Sequence, residues 1–274
     1  YLIYLLAFAI SKRSSMTADH EERSRYLVVL EEAAVIDLLA PAIEAACVPP
    51  VGSKKAQEEA ENLEYEGLEV GGALWGGISK DRWSGRYVTN VRRATVSKQS
   101  RGTASSFSYS NAALNVKRQL FEALWPQLSL IGRFHTHPYM TTSRTQVSAQ
   151  DLHHPSTADI RAFQDSKETR IELIVTVSKK QSKNDVLPGW IGFPETRGKL
   201  DPSCVLFGIA DIAVWIRACV WEHDADGNFA MIKPHEVHLH CPAVTGLMLP
   251  TDEGLESFRR IGAGRLVRQD ADDE

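Results

Sequence analysis

The chain has 274 residues, of which 43% are apolar and 24% charged, ordinary globular values that exclude extended disorder, collagen or a coiled coil as its main state. A formal net charge of -4 leaves no bulk positive field to hold nucleic acid. Four widely spaced cysteines, Cys47, Cys204, Cys219 and Cys241, with no C-x-x-C pair, suit reduced thiols in a cytoplasmic protein better than a disulfide framework.

The chain opens YLIYLLAFAI before Ser11, Lys12 and Arg13. Ten apolar residues reach only ~15 Å as a helix, half a bilayer core. No basic stretch precedes them and no small-residue cleavage site follows. Residues 1–15 are read as an upstream extension or cloning scar, with a front-truncated signal peptide as the other option. No other segment approaches membrane length, so no membrane partner is expected.

Tyr26–Leu30 predicts a short strand. Glu31–Cys47 predicts a helix with apolar Ala34, Ile36, Leu39 and Ile43, stopped by Pro49 and Pro50. Residues 51–64 are polar and predict a loop or short solvated helix. Leu68–Trp75 and Arg86–Val91 predict strands, and residues 96–106 a loop. Ser110 caps a helix to about Trp125 whose Ala113, Val116, Leu120 and Leu124 repeat on one face. Leu128–Phe134 predicts a buried strand, residues 138–155 an irregular stretch, Thr157–Ser166 a helix and Ile171–Val177 a strand. Residues 179–204, with three prolines, predict a loop. Asp211–Glu222 and Phe229–His240 predict a hairpin around Asp224–Gly227, and residues 251–274 a weak helix with a frayed acidic tip. No internal repeat is found. The class expected is α+β around one mixed sheet.

The chemistry gathers at GRFHTHP. His135 and His137 are two apart at the end of a buried strand, so alternation points both imidazoles to one side. Pro138 predicts the end of that strand, which leaves the rings at a sheet margin. Two neutral imidazoles and one further ligand make a zinc site with a fourth position open. Downstream, Ser156 and Asp159 stand three apart at a helix start, a capping-box pattern that is sufficient as a cap alone. The same turn can aim the Asp159 carboxylate at a metal and hold the Ser156 hydroxyl nearby as an oxyanion donor. Upstream, Glu69 beside Gly71 and Gly72 suits a general base that does not itself ligate the metal.

Glu69 followed by Gly-Gly, then His135-Thr-His137-Pro, then Ser156-x-x-Asp159 resembles the JAMM (MPN+) metalloprotease signature over residues 26–180. The resemblance implies a cytidine-deaminase-like α+β (α/β/α-like) fold, a mixed curved sheet flanked by helices, here with an added C-terminal hairpin at 205–250. It implies a single domain over 16–250, followed by the tail at 251–274. It implies one catalytic Zn2+ on His135, His137 and Asp159, with Glu69 as general acid/base and Ser156 as oxyanion donor. It further implies hydrolysis after the C-terminal glycine of a ubiquitin or ubiquitin-like protein, freeing its conjugates or maturing its precursor, in the setting of a bacterial ubiquitin-like conjugation operon of antiviral defence. The S-x-x-D pair comes later here than is usual in the family, and Ser148/Asp151 competes with Ser156/Asp159. A helix from Ser148 would meet Pro155 in its second turn, which favours Asp159.

Other readings are weighed beside these. A metal-free scaffold of the same family and a hydrolase of sulfur-carrier or small substrates are the alternatives in function. His153 and His154 read as solvated loop histidines, with accessory ligation as the other option. His238, His240 and Cys241 form a weaker candidate, since no acidic helix start follows them. The glycines of GGALWGG have no helix behind them to cradle phosphate, and Lys80–Arg86 reads as a solvated turn.

Overall fold

A computed structural model describes residues 24–50, 65–97, 101–102, 107–108, 110–166, 171–179, 189–192, 200–209, 211–223, 229–245, 258–261 and 265–268, with 53, 54 and 58 as isolated positions. The expected extension at 1–15, most of the stretch at 51–64 and the acidic tip lie outside these residues.

The strands are β1 (Tyr26–Leu30), β2 (Gly71–Lys80), β3 (Tyr87–Val96), β4 (Arg101–Gly102), β5 (Phe107–Ser108), β6 (Ser129–Ser143), β7 (Ile171–Lys179), β8 (Gly189–Gly192), β9 (Leu200–Ile209), β10 (Ile212–His223), β11 (Phe229–Met231), β12 (Val237–His240), β13 (Phe258–Ile261) and β14 (Arg265–Arg268). The α-helices are α1 (Glu32–Cys47), α2 (Asn111–Leu124), α3 (Arg144–Ala149), α4 (Thr157–Ser166) and α5 (Pro242–Thr245).

Ten strands form one mixed sheet in the order β12-β1-β3-β2-β6-β7-β10-β9-β8, with β11 on β10. β1 runs parallel to both β12 and β3, and β6 parallel to β7; the other pairs on this path are antiparallel. The sheet curls until β12 comes near β9 and β10, so the strands nearly close a barrel. β13 and β14 make a separate antiparallel hairpin where a weak helix was expected.

This architecture corrects the expected fold. Among the described residues the strands outweigh the helices, and a nearly closed barrel-like sheet replaces a sheet flanked by helices. The segment 205–250 is no appended hairpin either. β10 lies between β7 and β9 inside the sheet, and the expected second arm divides. Its start, β11, pairs with β10, while Pro234 opens a 3-10 turn that sends β12 to the far edge on β1. β8 and β9 were missed because prolines and glycines interrupt them. Trp190 pairs with Val205 but Ile191 pairs with Asp201, so Pro202 sits in a bulge of the β8 ladder, where its missing N–H is tolerated.

The main core lies between α1 and the sheet. Ala34, Val35, Leu38, Ala42 and Ala46 of α1 are buried and pack with Val28, Leu30, Val91, Phe134, Leu173, Val175 and Val214. The small alanines let the helix axis come close to the strands. Ile36 is 60% exposed, one residue off the buried stripe. On α2 the docking residue is Phe121, stacked on Trp75 at 3.9 Å, whereas the expected face carries Val116, Leu120 and Leu124 outward. Two further contacts anchor the helices after β6. Val147 of α3 packs with Cys204, Ala213 and Trp215, and Phe163 of α4 stacks on Trp221 at 4.8 Å.

Candidate metal centre

β6 sets the stage. It runs through Pro138 to Ser143 instead of ending at the proline, because β2 stops pairing at Gly71–His135 and only β7 continues alongside. Thr136 directs its N–H to Val70 on the β2 side, so Pro138, two residues on, faces the same vacated side and breaks no ladder bond. The strand's alternation puts His135 and His137 on one face, both buried.

The remainder of the expected irregular stretch is also ordered. Ser143 caps α3 through a reciprocal capping box with Gln146. Ser148 therefore lies inside α3 and starts no helix. α4 begins after Pro155, and its first turn is locked by a second reciprocal pair. The Asp159 carboxylate accepts from Ser156 N–H at 2.7 Å, and Asp159 N–H donates to Ser156 Oγ at 3.1 Å. The Ser156 side chain also hydrogen-bonds the Asp159 carboxylate, so the exposed hydroxyl is held against the candidate ligand.

These elements bring three side chains together. His135 Nε2 and His137 Nε2 are 3.0 Å apart, and each is 3.4 Å from an Asp159 carboxylate oxygen. The far nitrogen of each ring is already engaged. His135 Nδ1 meets Glu172 Oε1 of β7 at 2.9 Å, and His137 Nδ1 meets the Leu152 carbonyl at 3.1 Å. Both partners accept, so each ring points an Nδ1–H outward and its Nε2 inward. Two Nε2 atoms and a carboxylate thus face one point. Tetrahedral zinc ligands at about 2.0–2.1 Å from an ion sit roughly 3.3–3.4 Å from one another, close to the separations here. The His135–His137–Asp159 group can hold a metal ion.

Electrostatics point the same way. Burial opposes charge on His135, but Glu172 and Asp159 outweigh it and raise its pKa to about 10. Burial would raise the Asp159 carboxyl, yet the hydrogen bonds from His135 and His137 hold it well below its ordinary range. The two carboxylates around His135 demand positive charge, which a proton supplies when no ion does.

Glu69 approaches from the β2 side. Val70 is tied to Thr136 by two hydrogen bonds of 2.8 Å, Val70 N–H to Thr136 Oγ1 and Thr136 N–H to the Val70 carbonyl. Continuing the register from Gly71–His135 sets Glu69 across from His137 on the same face as both rings. Burial pushes its carboxyl up to about 7, with His135 pulling down and Asp159 pushing up. The approach depends on Gly67. Its φ of +90° is unfavourable for other residues, and a Cβ there would lie 2.7 Å from Pro138 Cβ and 2.9 Å from Ala46 Cα. Gly67→Ala is expected to destabilise the fold by about 1–3 kcal/mol, measured as a lowered melting temperature, with a further loss of function as Glu69 is displaced.

Sequence reasoning missed Glu172, which sits in the apolar run IELIVTV at 3% exposure. A lone acid within a fully buried strand was the available signal, since such a group needs a charged or hydrogen-bonding partner. Glu172→Gln is expected to weaken metal affinity about 10–100-fold, read by competition with a chromogenic chelator.

The remaining candidates lie elsewhere. Asp151 is exposed at φ 52°, grouped with His153 and His154 and apart from His135. His153 is buried, not a solvated loop histidine. His238 and His240 sit on β12 at the far sheet edge and join no metal-holding group among the described residues. Lys80–Arg86 forms the β2–β3 turn, held by Asp81, with Trp83 97% exposed. No helix among the described residues is long and apolar enough to cross a membrane. Comparison with protein-family models and with curated proteins returned no match.

Proposed function

We propose that this chain is a zinc-dependent peptidase or isopeptidase of the JAMM type, acting after the C-terminal glycine of a ubiquitin or ubiquitin-like protein. The observation that carries the reading is the convergence of His135 Nε2, His137 Nε2 and Asp159 within 3.4 Å, with Glu69 near enough to interact electrostatically with His135 and Asp159. It rests on the site and not on the fold, since chemistry belongs to the constellation of side chains. Zinc is favoured because two imidazoles and one carboxylate are the donors of open catalytic zinc sites.

When bound there, the ion supplies Lewis acidity toward a scissile carbonyl and acidifies water. The protein does the rest. His135, His137 and Asp159 fix the ion, and Glu172 and Leu152 fix the rings. Glu69 takes a proton from the attacking water and returns it to the leaving amine, a lysine ε-amine in an isopeptide. The Ser156 hydroxyl, already oriented by accepting from Asp159 N–H, donates to the oxygen that gains charge. A substrate tail binds extended beside the strand margin where β2 leaves β6, with a diglycine end that needs no side-chain room.

The test is metal analysis of the purified chain, followed by cleavage of a ubiquitin-like protein fused through its C-terminal glycine to a reporter. Release of the reporter that stops on chelation and returns with zinc supports the reading. Bound zinc with turnover of small acyl substrates only would replace the ubiquitin-like substrate, and a chain that retains no metal would end the proposal.

A further inference from the structure

We propose a second divalent-metal site on the loop between α3 and α4, formed by Asp151, His153 and His154 and serving as a structural clamp. The ligand atoms of these three residues all lie within 4.8 Å of one another. The independent sign is His153. Its side chain is 2% exposed, and neither ring nitrogen makes a well-formed hydrogen bond. The Val147 carbonyl accepts from Leu152 N–H at 3.0 Å and has a second lone pair within reach of one ring nitrogen, which leaves the other nitrogen without a partner. A buried imidazole with a ring nitrogen left unsatisfied is costly unless something coordinates it.

The surroundings suit an ion. His153 is packed beside Trp215, ring centroids 6.1 Å apart, so one ligand is held in place. His154 is half-buried and Asp151 exposed, so both are free to close on an ion arriving from solvent. Closing from 4.8 Å to the roughly 3.4 Å between ligands of one zinc ion falls to those two side chains. Arg217 is the adverse charge nearby. Its Nε donates to the His153 carbonyl at 3.2 Å, but its guanidinium is already paired with Asp201 at 2.8 Å. The set of two imidazoles and one carboxylate selects zinc or a neighbouring first-row ion over calcium or magnesium.

The experiment strips the full chain with chelator, equilibrates it with excess Zn2+, removes unbound ion and counts zinc per chain. The wild type is expected to hold two ions, His154→Ala one, His137→Ala one, and the double variant none. The His137→Ala background separates the two sites. If His137→Ala holds no zinc, or if adding His154→Ala to it removes none, the second site is overturned while the first stands. If His137→Ala keeps the wild-type content, the first site fails instead. Should His154→Ala not fold, Asp151→Asn at an exposed position decides. At least a tenfold weaker second-ion affinity supports the site, and unchanged affinity overturns it.

Discussion

Glu69→Gln is expected to lower turnover roughly 10³-fold while leaving the zinc content unchanged. The size follows from the usual contribution of a positioned acid–base group, 10²–10⁴-fold. Content is preserved because Glu69 lies outside the His135–His137–Asp159 group. The substitution keeps shape and removes only the ability to take a proton. Its effect on stability carries a sign of its own. Burial raises the Glu69 carboxyl from 4.5 to about 7. Between those values the folded chain holds a proton that the unfolded chain has released, so stability falls as pH rises through this window. Glutamine carries no charge and escapes that loss. In chelated protein, Glu69→Gln is therefore expected to melt above the wild type at pH 8 and level with it at pH 4. Full turnover in the variant would remove Glu69 from the mechanism, and equal melting at both pH values would remove the account of its burial.

The site was far more legible in the sequence than the sheet that carries it. His135 and His137 announce themselves because a two-residue spacing on a strand has only one geometric outcome. The choice of Asp159 over Asp151 could be made from Pro155 alone, since a proline ends one candidate helix and precedes the other. Glu172 and Leu152 were invisible for different reasons. Glu172 is hidden in an apolar strand and becomes meaningful only when parallel pairing sets β7 beside β6. Leu152 acts through its carbonyl, which no side-chain pattern encodes. The barrel-like closure was beyond reach because it depends on non-local pairing. β12 reads locally as the arm of a hairpin, yet its register with Leu27 and Val29 lies some two hundred residues back along the chain. On α2 the helical period was read correctly but the docking face was not. Phe121, through its stack on Trp75, outweighs the longer stripe of Val116, Leu120 and Leu124.

His137→Ala is expected to abolish ion binding at the His135–His137–Asp159 centre and with it most of the stabilisation that zinc gives the chain. An ion that binds only the folded state stabilises it by about 2.7 kcal/mol at a hundredfold excess over Kd and about 4.1 at a thousandfold. For a chain of this size each kcal/mol moves the melting temperature by about 2–4 °C, so zinc-loaded wild type should melt roughly 5–15 °C above chelated protein. The gain is large here because of what the ion replaces. Without it, two Nε2 lone pairs stand 3.0 Å apart beside a carboxylate, and only a proton on His135 relieves them. Alanine at 137 removes that crowding as well as the ligand, so the ion-free variant should lose less stability than an ordinary buried truncation. Differential scanning calorimetry with and without zinc separates these contributions. The zinc-dependent shift should shrink by more than half in His137→Ala, and the remainder should vanish once His154→Ala is added. A wild type whose melting temperature ignores zinc altogether would mean that the converging side chains are a proton-sharing cluster and not a metal centre.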